Sequence, residues 1–310
     1  MLAATVIDAA LLHPHRRALF GLAYRMLGSA TDADDVVQET FARALDGGGP
    51  DEPAALRAWL LRVATRLAID ALRRRRRDGY VGPWLPSPVP TEELVDETAD
   101  AAARYDLLES ASFAWLTALE ALSPTLRATF LLAEVFGLSG PEIAAATGTT
   151  DGNVRIRLHR ARRALAAFDR ARLPRGPEAI ERAREALQRL GLAVATRDRA
   201  ALEALLSDDV VSLQDGGGER FAAGRAIVGR DAVIDLHLRL ADLGGMPFWV
   251  EERSLNGAPA VAARIAVRRP RWPEEAVLTV DLAADGRIAR IYTVVAPRKL
   301  GRLSFGGAVA

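Results

Sequence analysis

The sequence predicts a multidomain chain: an all-α bundle, an all-α module built around a helix-turn-helix, and then an α+β cone with a curved antiparallel sheet. Three observations lead there. Apolar residues recur at helical spacing from residue 12 to the arginine run ending at Arg77. Residues 139–168 contain two short helices with separate start signals. Beyond residue 176 the pattern becomes two helices followed by short alternating runs bounded by turn residues.

In the bundle, Phe20, Ala23, Tyr24 and Leu27 share one helix face, and Gly28-Ser29 ends that helix. The next helix begins near Thr31 or Asp32, with Val37, Phe41, Ala44 and Leu45 facing inward. Asp35, Gln38, Glu39 and Ala42 fall together outward, an acidic and amide patch that suits either solvent or a basic partner. A glycine-rich loop, residues 46–50, leads to a long helix from about Ala54 to Arg77, buried through Leu56, Leu60, Val63 and Leu67. Trp59 on it is either core or a platform for an unstacked base. The helix ends in five arginines, Arg73 to Arg77, whose planar guanidinium groups suit phosphate oxygens.

Prolines at 83, 86, 88 and 90 forbid a helix and impose an extended path on the segment that follows. Helices resume at about Ala101 and run through Leu122, and Ser123-Pro124 starts the next. Ser139, three residues before Glu142, forms a capping box, and Pro141 costs no helical hydrogen bond in the first turn. The helix stops near Gly148, and Thr150 caps its successor. There Val154, Leu158, Ala161 and Leu165 form the inward stripe; Arg155, His159, Arg160 and Arg163 lie opposite, flanked by Asn153 and Arg157. A capped helix, a tight turn and a basic second helix make a helix-turn-helix able to enter a major groove.

Residues 173–177 mark a domain boundary. After two helices come strand patterns at 210–214, 220–229, 248–256, 260–269, 276–285 and 287–295, interrupted by a helix from Asp231 to Leu240. Asp285-Gly286 between apolar runs signals a hairpin. The net charge is only +1, so nucleic-acid affinity must come from local clustering. Cysteine is absent, which excludes disulfides and thiolate metal sites and suits a cytoplasmic setting. No stretch has the roughly 20 apolar residues of a membrane span, and the N-terminus does not read as a signal peptide.

Residues 16–77, with LAYRMLGSATDADDVVQETFARAL and AWLLRVATRLAIDALRRRRR, resemble region 2 of an extracytoplasmic-function (ECF) RNA polymerase sigma factor. Residues 120–167 resemble region 4 of that family. Residues 178–300 resemble a SnoaL-like domain of the ketosteroid-isomerase-like cone fold. The domains so implied are region 2 at 1–78, a linker at 79–104, region 4 at 105–172 and the SnoaL-like domain at 176–310.

The resemblance implies roles. Asp35, Gln38 and Glu39 would meet the clamp helices of the polymerase β′ subunit, and region 4 the β flap. The loop from Asp46 to Pro53, with Trp59, would capture flipped bases of the −10 element, while Arg73 and Arg74 hold its backbone. Asn153, Arg155, Arg157, His159, Arg160 and Arg163 would read the −35 element. Sigma factors with this extension share three motifs, present here in altered form: Tyr80-Val81-Gly82-Pro83-Trp84-Leu85-Pro86-Ser87-Pro88 in the linker, Asp215-Gly216-Gly217-Gly218-Glu219, and Ala296-Pro297-Arg298-Lys299-Leu300. Ser87 replaces the usual glutamate, Glu219 a lysine and Arg298 an aspartate; if the motifs meet, Glu219 and Arg298 compensate each other. The triple glycine reads as a strand turn, since no Lys-Ser/Thr pair or helix follows it.

The expected function is promoter-specific initiation with core RNA polymerase and promoter DNA, the cone acting as a fused regulator through Trp84, Leu85, Pro86, Asp215, Gly216, Gly217, Pro297, Lys299 and Leu300. No catalytic residue, metal or cofactor is expected; a small-molecule ligand in the cone is an open partner. The alternative is a helix-turn-helix regulator with a ligand-binding or isomerase/cyclase-like cone, for which Asp215, His237 and Asp281 are the candidate bases.

Overall fold

A computed structural model describes residues 9–50, 52–95, 106–171, 176–244, 247–266 and 269–306. The chain divides into two compact units. The first comprises Met1–Gly79, Glu93–Ala111 and Trp115–Ala171; the second comprises Tyr80–Glu92, Ser112–Ala114 and Arg172–Ala310. Proline-rich residues between the two helical modules therefore fold with the C-terminal domain.

In the first unit, after a short helix α1 (Ala9–Leu12), α2 (Arg16–Leu27) ends at Gly28, whose φ of 63° lies in the left-handed region that glycine enters freely. Helix α3 (Ala30–Arg43) starts earlier than expected, because the Ser29 hydroxyl accepts from the Asp32 N–H at 3.2 Å and caps it. Val37 and Ala44 are buried and Phe41 half-buried, but Leu45 is exposed. A π-helical turn, Ala44–Gly48, rotates it out of the inward stripe. Helix α4 (Pro53–Asp78) buries Leu56, Leu60, Leu61, Ala64, Ala68 and Leu72, whereas Val63 and Leu67 are only half-buried. The stripe is wider and rotated from the expected one because α4 packs against α2 and α3 and also against helices of the second module.

Those helices are α6 (Phe113–Leu119), α7 (Pro124–Glu134), α8 (Gly140–Thr147) and α9 (Asp151–Ala171). A short α5 (Thr91–Leu94) precedes them. The expected helix from Ala101 to Leu122 is broken at residues 110–112, and its first part, together with Asp51 of the loop, lies outside the described residues. α9 buries Val154, Ala161 and Leu165 and half-buries Leu158, the expected stripe.

In the second unit, α10 (Pro177–Thr196), α11 (Arg199–Leu205) and α12 (Arg230–Gly244) cover one face of a six-stranded sheet. The strands are β1 (Leu206–Asp215), β2 (Ile227–Val228), β3 (Pro247–Leu255), β4 (Ala258–Ile265), β5 (Glu275–Leu282) and β6 (Ile288–Val294), in the order β2-β1-β6-β5-β4-β3. The sheet is mixed, not purely antiparallel: β3 to β6 form a meander, and closing it brings β6 parallel to β1. The strand expected at 220–229 shrinks to Ile227–Val228, because residues before it form turns and a pocket rim. The Asp285-Gly286 hairpin is present, with Gly286 at φ 83°. Leu187, Leu190, Val233, Val280 and Ile291 build the core beneath the helices. The other sheet face is covered by Leu85 and Phe113, with Leu300 of α13 (Pro297–Leu300), over Leu255, Val277, Tyr292 and Val294. Every second residue of a strand faces one side, so Leu213 and Asp215 both point to this linker-covered face.

Candidate functional site

The helix-turn-helix is assembled by its caps. Glu142 accepts from the Ser139 N–H at 2.8 Å and from its hydroxyl at 2.6 Å, and these bonds hold its carboxyl below the usual carboxylate range. Gly148 closes α8 at φ 64°, and the Thr150 hydroxyl accepts from the Asn153 N–H at 3.4 Å. Burial of Val154, Ala161 and Leu165 turns Asn153, Arg155, His159, Arg160 and Arg163 to the exposed face of α9. Arg155 pairs with Asp151 at 3.0 Å one turn back, and Arg157 is half-buried, donating to the Thr147 hydroxyl at 3.3 Å. Arg157 thus ties the two helices together and flanks the exposed basic face.

On α3, burial of Val36, Val37 and Thr40 leaves Asp35, Gln38 and Glu39 exposed side by side; Glu39 holds Arg43 at 2.9 Å. On α4, Trp59 is half-buried, and Arg73 and Arg74 are exposed, Arg73 beside Asp70 at 3.2 Å. The arginine run divides here. Arg75 reaches both oxygens of Glu120 at 2.7 Å and the Leu27 carbonyl at 2.8 Å; Arg76 donates to the Leu122 carbonyl at 2.5 Å. Arg127, 1% exposed, also donates to Glu120 at 2.7 Å and to the Met26 carbonyl at 2.8 Å. Burial alone would raise the Glu120 carboxyl, but Arg127 and Arg75 hold it below its ordinary value. Arg25, also 1% exposed, donates to the Ser110 hydroxyl at 2.7 Å and the Leu107 carbonyl at 2.6 Å; burial pushes its pKa down to about 10, leaving it charged at neutral pH. Arg66 of α4 reaches the Ala145 carbonyl of α8 at 3.1 Å. The two helical modules are thus stapled by arginines within one unit. Of the run, Arg75 and Arg76 are thus engaged within the protein while Arg73 and Arg74 are exposed, and no sequence signal distinguished them.

The three short motifs converge in the second unit. Asp215, fully buried, accepts from the Tyr80 hydroxyl at 2.6 Å, the Leu85 N–H at 2.7 Å and the Gly217 N–H at 2.9 Å. Lys299, 8% exposed, closes the shell at 2.6 Å from Asp215 and donates to the Leu85 carbonyl. Its ammonium lies 4.7 Å from the Tyr80 ring centroid and 4.6 Å from that of Trp84. Leu85, fully buried on the sheet, is the apolar anchor of the linker; Trp84 is half-buried and roofs the lysine. Pro86 is buried beside it, and Pro297 starts α13, which delivers Lys299 and Leu300. Further along, the Val89 N–H donates to the buried Asn256 side chain at 2.9 Å, and the Thr91 and Ser254 hydroxyls meet at 2.8 Å.

The triple glycine is a turn. A Cβ on Gly216 would lie 2.3 Å from the Arg220 carbonyl oxygen, and Gly217, at φ 60°, would meet Ala296 at 3.1 Å. Glu219 and Arg298, the two exchanged charges, pair at 3.0 Å with Arg298 largely exposed. Ser87, in place of the usual carboxylate, is buried. Tyr80 opens the linker motif, but its bond to Asp215 was not anticipated, and nothing in the sequence singled out Asn256.

Of the candidate bases, Asp215 is consumed by this shell and Asp281 accepts from the Tyr292 hydroxyl at 2.8 Å. His237 is buried, 3.4 Å from the Ser212 hydroxyl, and burial lowers its pKa to about 4. Among the described residues no group of three or more acidic or histidine side chains is placed to hold a metal ion, and no helix is long and apolar enough to cross a membrane.

A capped turn with an exposed basic second helix, a second helical module with an acidic face and an arginine-ended helix, and an α+β domain holding the segment between them define a transcription factor of the sigma class. Residues 11–78 match the model of sigma-70 region 2 and residues 112–165 that of sigma-70 region 4. The chain is 32% identical over 293 residues to the ECF RNA polymerase sigma factor SigJ of Mycobacterium tuberculosis (strain ATCC 25618 / H37Rv), spanning 92% of this chain and 90% of that protein. It superposes on the crystal structure of M. tuberculosis SigJ with a TM-score of 0.73 at 28% identity, over 96% of this chain and 100% of that one. The ECF sigma factor SigG of the same organism is 39% identical over 188 residues, covering 54% of this chain and 51% of that protein. The chain belongs to the ECF RNA polymerase sigma factor family.

Proposed function

We propose that this sigma factor docks on core RNA polymerase through Asp35, Gln38 and Glu39 of α3, against the β′ clamp helices, with the second module on the β flap. Asn153, Arg155, Arg157, His159, Arg160 and Arg163 then read the −35 element, while Trp59 and the loop before α4 receive unstacked bases of the −10 element beside Arg73 and Arg74. The protein works in the cytoplasm, where polymerase and promoter meet.

The C-terminal unit controls this reaction by holding the linker. The −10 and −35 elements lie roughly 25 base pairs apart, about 85 Å of duplex at about 3.4 Å per pair. In the first unit the two readers are instead packed together, α4 against α8. Reading both elements requires α4 and α8 to separate, and the slack comes from the residues between Asp78 and Phe113. Docking residues 80–92 on the sheet withdraws that stretch from the slack. The observation that carries the proposal is the buried Asp215–Lys299 pair closed around the Leu85 backbone. Run-off transcription with core polymerase tests it: Lys299→Met releases the linker and raises promoter-specific transcript several-fold, whereas an unchanged yield rejects the control.

A further inference from the structure

The second unit contains a half-enclosed cavity of about 290 Å³ that the linker contacts leave unfilled. It lies at the rim of the sheet, between the glycine turn after β1, the loop before β5, and linker residues Val81 and Gly82. Its size is at the lower end of the roughly 300–1,000 Å³ of ligand pockets.

Its lining is chemically biased. One wall is the stacked pair Phe221 and Trp272, ring centroids 5.1 Å apart and 21° from parallel. Phe221 is 54% exposed, a large apolar ring left uncovered. The ionisable residues of the lining are two arginines, Arg220 and Arg271, with no carboxylate among them. Arg220 is loosely held, 3.5 Å from Glu274 and 3.4 Å from the Trp272 carbonyl, at the outer limit of hydrogen bonding. Arg271 donates to the Gly218 carbonyl at 2.7 Å and has φ 64°, a strained conformation for a residue with a Cβ. Gln214, 4% exposed, accepts from the Ala223 N–H at 3.0 Å, which fixes the orientation of its carboxamide. The amide nitrogen makes no hydrogen bond among the described residues, and Gln214 lines the cavity.

We propose that this cavity is an effector site for a planar aromatic carboxylate, whose ring lies along Phe221 and Trp272 and whose anion takes the Arg220 and Gln214 donors. Resting on the linker-control reading above, the site gives that control an input. Val81 and Gly82 form part of the lining, and a Cβ on Gly218 would lie 3.3 Å from that of Val81. The cavity is complete only while the linker is docked, so a ligand that fills it favours the docked state, and docking favours the ligand by the same factor.

Calorimetric titration of the full chain with 2-naphthoate and benzoate tests the site, with 2-naphthamide as the uncharged control. One saturable site is expected for at least one acid, weakened ten-fold or more by Arg220→Gln and by Trp272→Leu, with the amide equally weak. No saturable binding of either acid up to 2 mM, an experimental ceiling about the weakest specific range, overturns the site, as does binding indifferent to both variants. Saturating acid should also slow amide exchange at Leu85 and Val89; unchanged exchange overturns the coupling. These outcomes are separate from the control reading, which stands or falls on whether Lys299→Met changes transcript yield without any ligand.

Discussion

Lys299→Met keeps most of the side-chain volume and removes the ammonium that pairs with Asp215 at 2.6 Å. The carboxylate is fully buried and retains only neutral donors: the Tyr80 hydroxyl and the Leu85 and Gly217 amides. The Leu85 carbonyl also loses its ammonium donor. Breaking a buried pair by removing one partner costs about 3–5 kcal/mol, because a charge is left without compensation. Linker and C-terminal segment meet at this point, so the cost falls on the docked state. Native-state amide exchange at Leu85, whose N–H is bonded to Asp215, reads it directly. Exchange there should accelerate by roughly two to three and a half orders of magnitude. In Asp215→Asn with Lys299→Met no unpaired charge remains, and much of the protection should return, a non-additive cycle. Exchange within threefold of the parent, or strict additivity in the double variant, would show that the Asp215–Lys299 pair does not hold the linker.

Further expectations follow from the same contacts. His237 has a folded pKa of about 4 against 6.5 unfolded, because burial disfavours its cation. Its stabilising contribution is complete above pH 6.5 and is lost as pH falls towards 4, about 3 kcal/mol in all; urea unfolding followed across that range should show the slope, and His237→Gln should flatten it. Glu120→Gln leaves the buried Arg127 and the half-buried Arg75 without their shared carboxylate. It should lower stability by about 3 kcal/mol or more and expose α8 to amide exchange. Glu219→Lys with Arg298→Glu should show a coupling below about 1 kcal/mol, since Arg298 is exposed; a larger value in a double-mutant cycle would make the pair part of the latch. Arg163→Ala should weaken binding of the isolated −35 duplex to the polymerase holoenzyme and flatten its salt dependence, whereas an unchanged salt slope would remove Arg163 from the phosphate contacts.

Local chemistry was legible in the sequence. Ser139 with Glu142, Gly148, and the stripe Val154, Ala161 and Leu165 act within one or two turns, so spacing alone specified the helix-turn-helix. The acidic face of α3 followed from the same periodicity. Errors arose where a partner distant in sequence decides. Leu45 faces out because a π turn intervenes, and the α4 stripe is rotated by contacts with α7 and α8. Arg75 and Arg76 look like Arg73 and Arg74 in sequence; Glu120 and two backbone carbonyls separate their fates. Nothing in the sequence marks Arg25 and Arg127, yet both are buried staples. The resemblance brought the three short motifs together, but the shell around Asp215 joins residues up to 214 positions apart, and no local pattern encodes it. The parallel pairing of β1 with β6 is of the same kind, a consequence of sheet closure.

If the C-terminal unit governs initiation by gripping the linker, releasing the linker must raise transcription. This is tested most directly by run-off transcription from one promoter with core polymerase, comparing the full chain with its Lys299→Met variant at equal holoenzyme occupancy. Several-fold more transcript is expected from the variant, in step with faster exchange at Leu85. Equal transcript from the two, with Leu85 demonstrably released, would contradict it.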